Sequence, residues 1–342
     1  MSSPLVLERF PLGLHWPAID PFLFCAHHAD RYPRGNGALG PAASLAGRAL
    51  GHDFEGQDGW RMYHGTRVPG FPQHPHRGFE TITIVTSGYC DHSDSLGARA
   101  RFGEGDVQWL TAGSGIVHSE MFPLLRSDVD NPLELFQLWL NLPRASKMVP
   151  PHFSMRWREQ LPVVRRDDGG GRHATVTVVA GDFDEVRAAP APPHSYAARA
   201  DSDVGVWLVA LDAGARLTVP PAPRARERMI YLYRGAGAHL DDDALVGGSG
   251  ARVRADAACT LRAGPEPCGL LLLQGAPLGE PVAWHGPFVM NTPAELEAAY
   301  RDYHTTRFGG WPFERDDPVH GAEPRRFARY PDGREEQPPS GR

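Results

Sequence analysis

Two short clusters combine histidine and glutamate at a spacing of two residues. His74 and His76 form the first pair, and His118 and Glu120 form the second. Residues two apart project from the same face of an extended strand, so each pair would present two metal-binding groups side by side. Two such pairs on neighbouring strands would place three imidazoles and a carboxylate around one ion. This donor set suits a first-row divalent ion, and iron, manganese, nickel, copper and zinc are all chemically possible.

A second carboxylate follows the first pair at the same period. Continuing the alternation from His76 brings Gly78 and then Glu80 to the same side, provided that no bulge intervenes at the glycine. Glu80 is therefore a third possible ligand on the side of the first pair. Four protein ligands on a six-coordinate ion would leave two positions open for oxygen or for a chelating substrate.

The elements that must position these residues are predicted to be short antiparallel strands. Residues 80–86 alternate, are rich in β-branched side chains and end at a Ser-Gly turn, which is typical of a half-buried strand. Turn-punctuated runs of the same kind predict further strands at 98–102, 107–110, 116–121, 135–142, 175–180, 205–211, 216–219, 229–233, 251–254 and 269–274. This pattern indicates two β domains. One helix begins after Thr292, with Pro293 at its first position and Glu295 in capping-box spacing, and Gly309 offers a stop.

Length and composition narrow the classes of protein. A chain of 342 residues predicts roughly two domains of about 150 residues. The net charge of −6 argues against direct contact with nucleic acid. No apolar run approaches the roughly 20 residues that span a bilayer, and the N-terminus lacks the pattern of a secretion signal, so we expect a cytoplasmic protein. The four cysteines have no Cys-x-x-Cys spacing, which argues against a disulfide framework and against a sulfur-rich zinc site.

The residues around both pairs resemble the pirin family of the cupin superfamily. The resemblance is carried by HPHRGFET at 74–81, DSLG at 94–97, GDVQWLTAG at 105–113, GIVHSE at 115–120, FQLWLNLP at 136–143 and GPFVMNT at 286–292. It therefore reaches both predicted domains. Residues 33–65 and the tail beyond Gly310 lie outside it.

The resemblance implies an all-β bicupin with two antiparallel, jelly-roll type β-barrels and a C-terminal helix. The expected parts are an N-terminal metal-binding barrel at 1–148 with an irregular insertion at about 32–65, a C-terminal barrel without metal at 149–291, the helix at 292–309 and a polar tail at 310–342. It also implies one ion, Fe(II) above the other metals, bound by His74, His76, His118 and Glu120. Glu80 then either stands behind the ligands or replaces Glu120 as the carboxylate.

Some pirins are similar in activity to quercetin 2,3-dioxygenase, which opens a flavonol ring with O₂. This similarity implies a small aromatic substrate, with Glu120 as the base that accepts the substrate's hydroxyl proton. Phe79, Trp109 and Phe122, close in sequence to the ligands, are the candidates to line an apolar pocket. The alternative is a non-enzymatic, iron-binding protein that responds to redox state and regulates a protein partner.

Overall fold

Strands make up most of the regular structure in the part of the chain that the computed structural model describes, residues 4–340. Up to residue 160 they are β1 (Val6–Pro11), β2 (His15–Trp16), β3 (Phe22–Tyr32), β4 (Gly70–His76), β5 (Phe79–Ser87), β6 (Tyr89–Asp94), β7 (Arg99–Gly103), β8 (Asp106–Thr111), β9 (Ile116–Met121), β10 (Asn131–Asn141) and β11 (His152–Arg156).

The later strands are shorter on average. They are β12 (Val163–Asp167), β13 (His173–Ala180), β14 (Asp182–Phe183), β15 (Val186–Arg187), β16 (Gly205–Leu211), β17 (Arg216–Val219), β18 (Glu227–Arg234), β19 (Gly237–Leu240), β20 (Asp243–Val246), β21 (Ser249–Arg254), β22 (Cys259–Ala263), β23 (Cys268–Gln274), β24 (Ala283–His285), β25 (Phe288–Met290), β26 (Phe327–Arg329) and β27 (Glu335–Glu336). The all-β fold class is confirmed.

The predicted helix is α1 (Pro293–Thr306). The Thr292 hydroxyl accepts a hydrogen bond from the Glu295 backbone N–H at 3.2 Å, and the Glu295 carboxylate accepts one from the Asn291 N–H at 3.1 Å. These bonds satisfy backbone donors at the start of the helix, as a capping box does. The helix ends before the expected Gly309, because Arg307 adopts the left-handed conformation at its C-cap. Within residues 4–340, no helical segment has the length and apolar character of a membrane span.

The histidine unit, residues 26–160 and 280–340, is one of two compact units. One of its sheets has the strand order β11-β8-β5-β10-β3, and the other has the order β27-β26-β7-β6-β9-β4. The two sheets share one apolar core, to which the first contributes Val85, Leu110, Leu135, Phe153 and Met155 and the second contributes Cys90, Ala100, Phe102, Ile116 and Ala328. An antiparallel sandwich of this kind buries one face of each sheet.

The second unit comprises residues 4–25 and 161–279. Its larger sheet has the order β1-β21-β18-β23-β16-β13-β12, and its smaller sheet has the order β17-β22-β19-β20. Both sheets contribute to one buried core, with Val209, Ile230, Leu270 and Leu272 from the larger and Leu217, Leu240 and Leu261 from the smaller.

The boundaries of these units differ from the expected 148/149 and 291/292 divisions. Strand β1 pairs with β21, from Val6 opposite Val253 to Pro11 opposite Ser249, so the start of the chain belongs to the second unit. The helix packs on Phe288 and Met290 of the histidine unit. Such pairing joins segments that are distant in sequence, and local composition does not reveal it.

The insertion at 32–65, expected to be irregular, and the expected polar tail are both integrated into the histidine unit. In the insertion at 32–65, Trp60, Met62 and Tyr63 are buried in the shared core. In the polar tail, β26 pairs with β7, with Ala328 buried opposite Ala100. The tail therefore completes the edge of a sheet.

Candidate metal centre

The three histidines converge because β4 and β9 are antiparallel neighbours in register. His74 lies directly opposite His118, and His76 lies opposite Ile116. A bulge between Phe71 and His74 shifts the register so that the imidazoles meet on one face. One ring nitrogen from each of the three histidines lies within 4.8 Å of the others.

The hydrogen bonds of these imidazoles leave nitrogens available to a ligand. Nδ1–H of His74 donates to the Pro72 carbonyl at 2.9 Å, and Nδ1–H of His76 donates to the Pro287 carbonyl at 3.4 Å. Because carbonyl oxygens only accept, both rings carry their proton on Nδ1 and present a bare Nε2. Nε2 of His76 and both nitrogens of His118 are buried without a hydrogen-bond partner within residues 4–340. Buried polar atoms of this kind need a partner, and a divalent cation would supply it.

Burial also keeps the imidazoles neutral. It lowers the pKa of His74 to about 4 and the pKa values of His76 and His118 well below the ordinary 6.5. The proximity of other imidazoles adds to this lowering in all three cases. Metal binding requires neutral imidazole, so these rings are in the ligating state at neutral pH. The donor set therefore fits a first-row divalent ion.

Glu120 adjoins the imidazoles through His118. Its Oε2 lies 3.8 Å from His118 Nε2, and the side chain is almost completely buried. Oε2 accepts a hydrogen bond of 2.6 Å from the Gln137 amide, and Oε1 accepts one of 3.2 Å from the Thr83 hydroxyl. Burial raises the pKa of Glu120, while both hydrogen bonds oppose that rise. The carboxylate is thus held beside the ligands in a fixed orientation.

Glu80 does not share this site, which corrects the expectation that it stands behind the ligands or replaces Glu120. On β5 the odd-numbered Thr83 faces Glu120, so Glu80 projects from the opposite face of the strand. Its carboxylate accepts a 2.7 Å hydrogen bond from the Thr111 hydroxyl. The alternation fails because the chain turns at Gly78, where φ is +88°, and passes from one sheet to the other.

Trp109 is the second correction. It lies opposite Ile82 across the β8–β5 pair, so it shares the face of Glu80 and does not line the site. Its ring stacks under the Arg156 guanidinium, whose carbon lies 5.0 Å from the ring centroid.

The other two expected aromatic residues occupy different positions relative to the imidazoles. Phe79 is buried beside His76, with ring centroids 5.1 Å apart. Phe122 is separated from the imidazoles by Phe71. The ring centroids of Phe122 and Phe71 are 6.1 Å apart, and those of Phe71 and His74 are 6.2 Å apart.

Sequence reasoning missed Gln137, Thr83 and Trp139. The ring of Trp139 stacks on that of Phe79, with centroids 4.1 Å apart, and its centroid lies 5.3 Å from that of His76. Gln137 is a polar residue within the apolar run 135–140, and such an exception in a buried strand was the available signal. Its partner, Glu120, lies on β9 in the other sheet, so the sequence of the Gln137 strand does not identify that partner.

Comparisons with known proteins match two parts of the chain to one family. The family model described as Pirin matches residues 46–140, and the model described as Pirin C-terminal cupin domain matches residues 206–309. The first match begins within the segment 33–65, which was expected to lie outside the resemblance. A pirin-like protein of Caulobacter vibrioides is 39% identical over 244 residues, which cover 70% of this chain and 80% of that protein.

Two further relatives carry an enzyme name. A Pseudomonas aeruginosa protein provisionally named a quercetin 2,3-dioxygenase is 37% identical over 239 residues, covering 70% of this chain and 79% of its own. The crystal structure of quercetin 2,3-dioxygenase from Acinetobacter baumannii superposes with a TM-score of 0.70 at 26% identity. The superposition covers 90% of this chain and 98% of that one.

Proposed function

The chain belongs to the pirin family, and from this premise we propose that it is a metal-dependent dioxygenase that opens the ring of a planar, flavonol-like compound with O₂. The observation that carries the proposal is the group of three neutral imidazoles, two buried and one half-buried, beside a buried carboxylate. The names of the Pseudomonas and Acinetobacter proteins support the reaction class.

His74, His76 and His118 would hold the ion, with Glu120 as a fourth ligand or as its immediate neighbour. Fe(II) is the proposed metal, since imidazole and carboxylate donors with open positions suit it, although manganese, nickel, copper and zinc accept the same donors. When bound, the ion would supply Lewis acidity that favours loss of a proton from a coordinated substrate hydroxyl.

Glu120 is the proposed catalytic base. Its carboxylate lies against His118, within reach of a hydroxyl group presented at the imidazoles. Burial raises its pKa, which makes the carboxylate a better proton acceptor than an exposed glutamate. Gln137 and Thr83 hold both oxygens, so the base does not have to be oriented at the moment of proton transfer.

Phe79 and Trp139 form the proposed substrate wall. The two rings stack with an interplanar angle of 29°, and Trp139 also contacts the exposed Trp284 at 5.5 Å. An aromatic surface beside a metal centre suits a flat, electron-rich ligand.

The test is to incubate Fe(II)-loaded protein with quercetin in the presence and absence of O₂ and to measure carbon monoxide. We expect carbon monoxide and ring-opened product only with O₂, and none from a His118→Ala variant. Failure of the iron-loaded wild type to form an oxygen-dependent product would overturn the dioxygenase assignment. A redox-dependent protein partner would then support the regulatory alternative.

A further inference from the structure

The segment that follows the helix crosses the outer face of the sheet that carries the imidazoles. Residues 311–340 lie beyond the Pirin C-terminal cupin match, which ends at residue 309. Within this segment, residues 316–323 form hydrogen bonds to β4, β6 and β7. We call residues 316–323 the C-terminal clamp.

The first contact of the clamp is to the bulge in β4. Gln73 is part of the bulge and immediately precedes His74. Its backbone N–H donates to the Asp316 carbonyl at 2.7 Å, and its side-chain amide donates to the Asp316 carboxylate at 2.7 Å. A bulge leaves backbone groups unpaired with the neighbouring strand, and here Asp316 provides the partner.

The bulge in turn orients an imidazole. The ring of His74 is held by the hydrogen bond from its Nδ1 to the Pro72 carbonyl, and Pro72 is the other residue of the bulge. The direction of that carbonyl depends on the conformation of the peptide unit between Pro72 and Gln73. A bond that fixes Gln73 therefore also restrains the direction in which Nε2 of His74 points.

The second contact anchors the clamp to β6 and β7, on the other side of the strand that carries His118. Arg101 and Asp91 form a completely buried bidentate pair at 2.6 Å, and Arg101 also donates to the Gly321 carbonyl at 2.8 Å and to the Glu323 carbonyl. The His320 backbone N–H donates to Asp91 at 2.8 Å, and its ring Nε2 donates to the His92 carbonyl at 2.8 Å.

The clamp thus joins β4 and β6, the two neighbours of β9 in the sheet. His92 of β6 lies directly opposite Glu120 of β9, and His74 of β4 lies opposite His118. Fixing both flanking strands from the outer face restricts movement of the ligands on the inner face. We propose that the clamp is a positioning element for the metal centre and that Asp316 is its positioning residue for His74. This inference depends on the metal site proposed above.

The test measures Co²⁺ binding to the full-length protein, by competition with a chromophoric chelator and by the visible absorption spectrum. Asp316→Ala removes the side-chain bond that holds the Gln73 amide and leaves the backbone bond to the carbonyl of residue 316, so we expect the dissociation constant to rise several-fold, short of the roughly tenfold effect of removing a group that orients a metal ligand directly. The spectrum should change as well, while the melting temperature of the metal-free protein stays near that of the wild type. Asp316→Asn retains the acceptor oxygen and should restore both affinity and spectrum.

Asp332→Ala is the matched control, because Asp332 is an exposed aspartate of the same tail whose carboxylate accepts a bond only from the Arg334 N–H within residues 4–340. The proposal is overturned if Asp316→Ala binds Co²⁺ with wild-type affinity and spectrum, or if Asp332→Ala weakens binding equally. If the wild type itself binds no Co²⁺, the metal site is refuted and the proposal falls with it. The two failures are therefore distinguishable.

Discussion

The imidazoles of His74, His76 and His118 pack against one another, His76 and His118 buried and His74 half-buried, and this environment sets their chemistry. A buried histidine with a lowered pKa remains neutral, so its nitrogen does not lose a metal to proton competition at neutral pH. Glu120 responds in the opposite direction, because burial disfavours its charged form.

At this scale we expect His118→Ala to abolish metal binding. His118 is completely buried and provides the nitrogen that adjoins both the other imidazoles and Glu120. Elemental analysis of metal-loaded protein should find about one ion per wild-type chain and at least tenfold less in the variant. His304→Ala, which removes an exposed histidine of the helix, should bind as the wild type does. Two ions per wild-type chain would contradict the expectation that only the first barrel binds metal.

The metal-free protein should lose stability on acidification. The unfolded chain takes up protons on these imidazoles below their ordinary pKa of 6.5, whereas folded His74 does so only near pH 4. The unfolded state therefore binds more protons between these values, and the free energy of unfolding falls as the pH falls, by about 2 kcal/mol for such a group. This loss of stability is measured by urea unfolding of the metal-free protein at pH 7.5 and at pH 5.0. The free energy of unfolding of the His74→Gln variant should fall less over this pH range than that of the wild type. An equal fall in both proteins would count against a lowered pKa of His74.

Gln137→Leu should shift the pH profile of the proposed reaction. The Gln137 amide donates to the charged form of Glu120 and so lowers its pKa. Removing the bond should move the limb of kcat/KM that reports Glu120 to higher pH by about one unit. Thr83→Val removes the longer bond of 3.2 Å and should cause a smaller shift in the same direction. A shift to lower pH would contradict Glu120 as the base.

At the scale of elements, the site depends on where β4 ends and β5 begins. Gly78 makes the turn between the two sheets with φ of +88°, and a Cβ on it would lie 1.9 Å from the Val289 carbonyl oxygen. The same turn reverses the face on which Glu80 would otherwise lie. A single glycine therefore separates the ligand strand from the strand that supports Glu120.

Gly78→Ala should destabilise the protein strongly, by about 3 kcal/mol or more, because steric overlap adds to backbone strain. Gly97→Ala is the matched control, since Gly97 has φ of +90° but no atom lies within 4 Å of the place that an added methyl group would take. Gly97→Ala should lower the free energy of unfolding by about 1 kcal/mol, from backbone strain alone. Thermal and denaturant unfolding measure the stability of both variants. Equal losses of stability would show that the close approach of Gly78 to Val289 is unimportant.

At the scale of the whole molecule, each compact unit is assembled from two separate parts of the chain. The second unit takes its edge strand β1 from the N-terminus, where Phe10 also packs on Tyr231 at 6.1 Å. The histidine unit takes the helix and the tail from the C-terminus. Terminal segments are thus structural components of units whose centres lie far away in sequence.

Deleting residues 1–12 should lower the melting temperature of the second unit by about 5 °C or more, because β21 loses one of its two paired strands. Metal binding should be unchanged, since the imidazoles belong to the histidine unit. Calorimetry and Co²⁺ titration measure the two effects. A chain ending after Glu336 serves as the control and should melt as the wild type does, whereas loss of metal binding in the N-terminal deletion would contradict the separation.

Features that depend on neighbours a few residues apart could be predicted from the sequence. The spacing of His74 and His76, and of His118 and Glu120, places each pair on one strand face, and Thr292 and Glu295 define the start of the helix. Strand alternation and helix capping are local, so one stretch of sequence contains all the information that they require.

How these local faces meet could not be predicted, because it depends on the packing of distant strands. That packing turned Glu80 and Trp109 away from the centre, brought Gln137 to Glu120, and placed Asp316 on the bulge before His74. Alternation of side chains holds only within one uninterrupted strand. Beyond a turn, the side of a sheet that becomes the interior depends on which distant strands pair with it and which sheet packs against it.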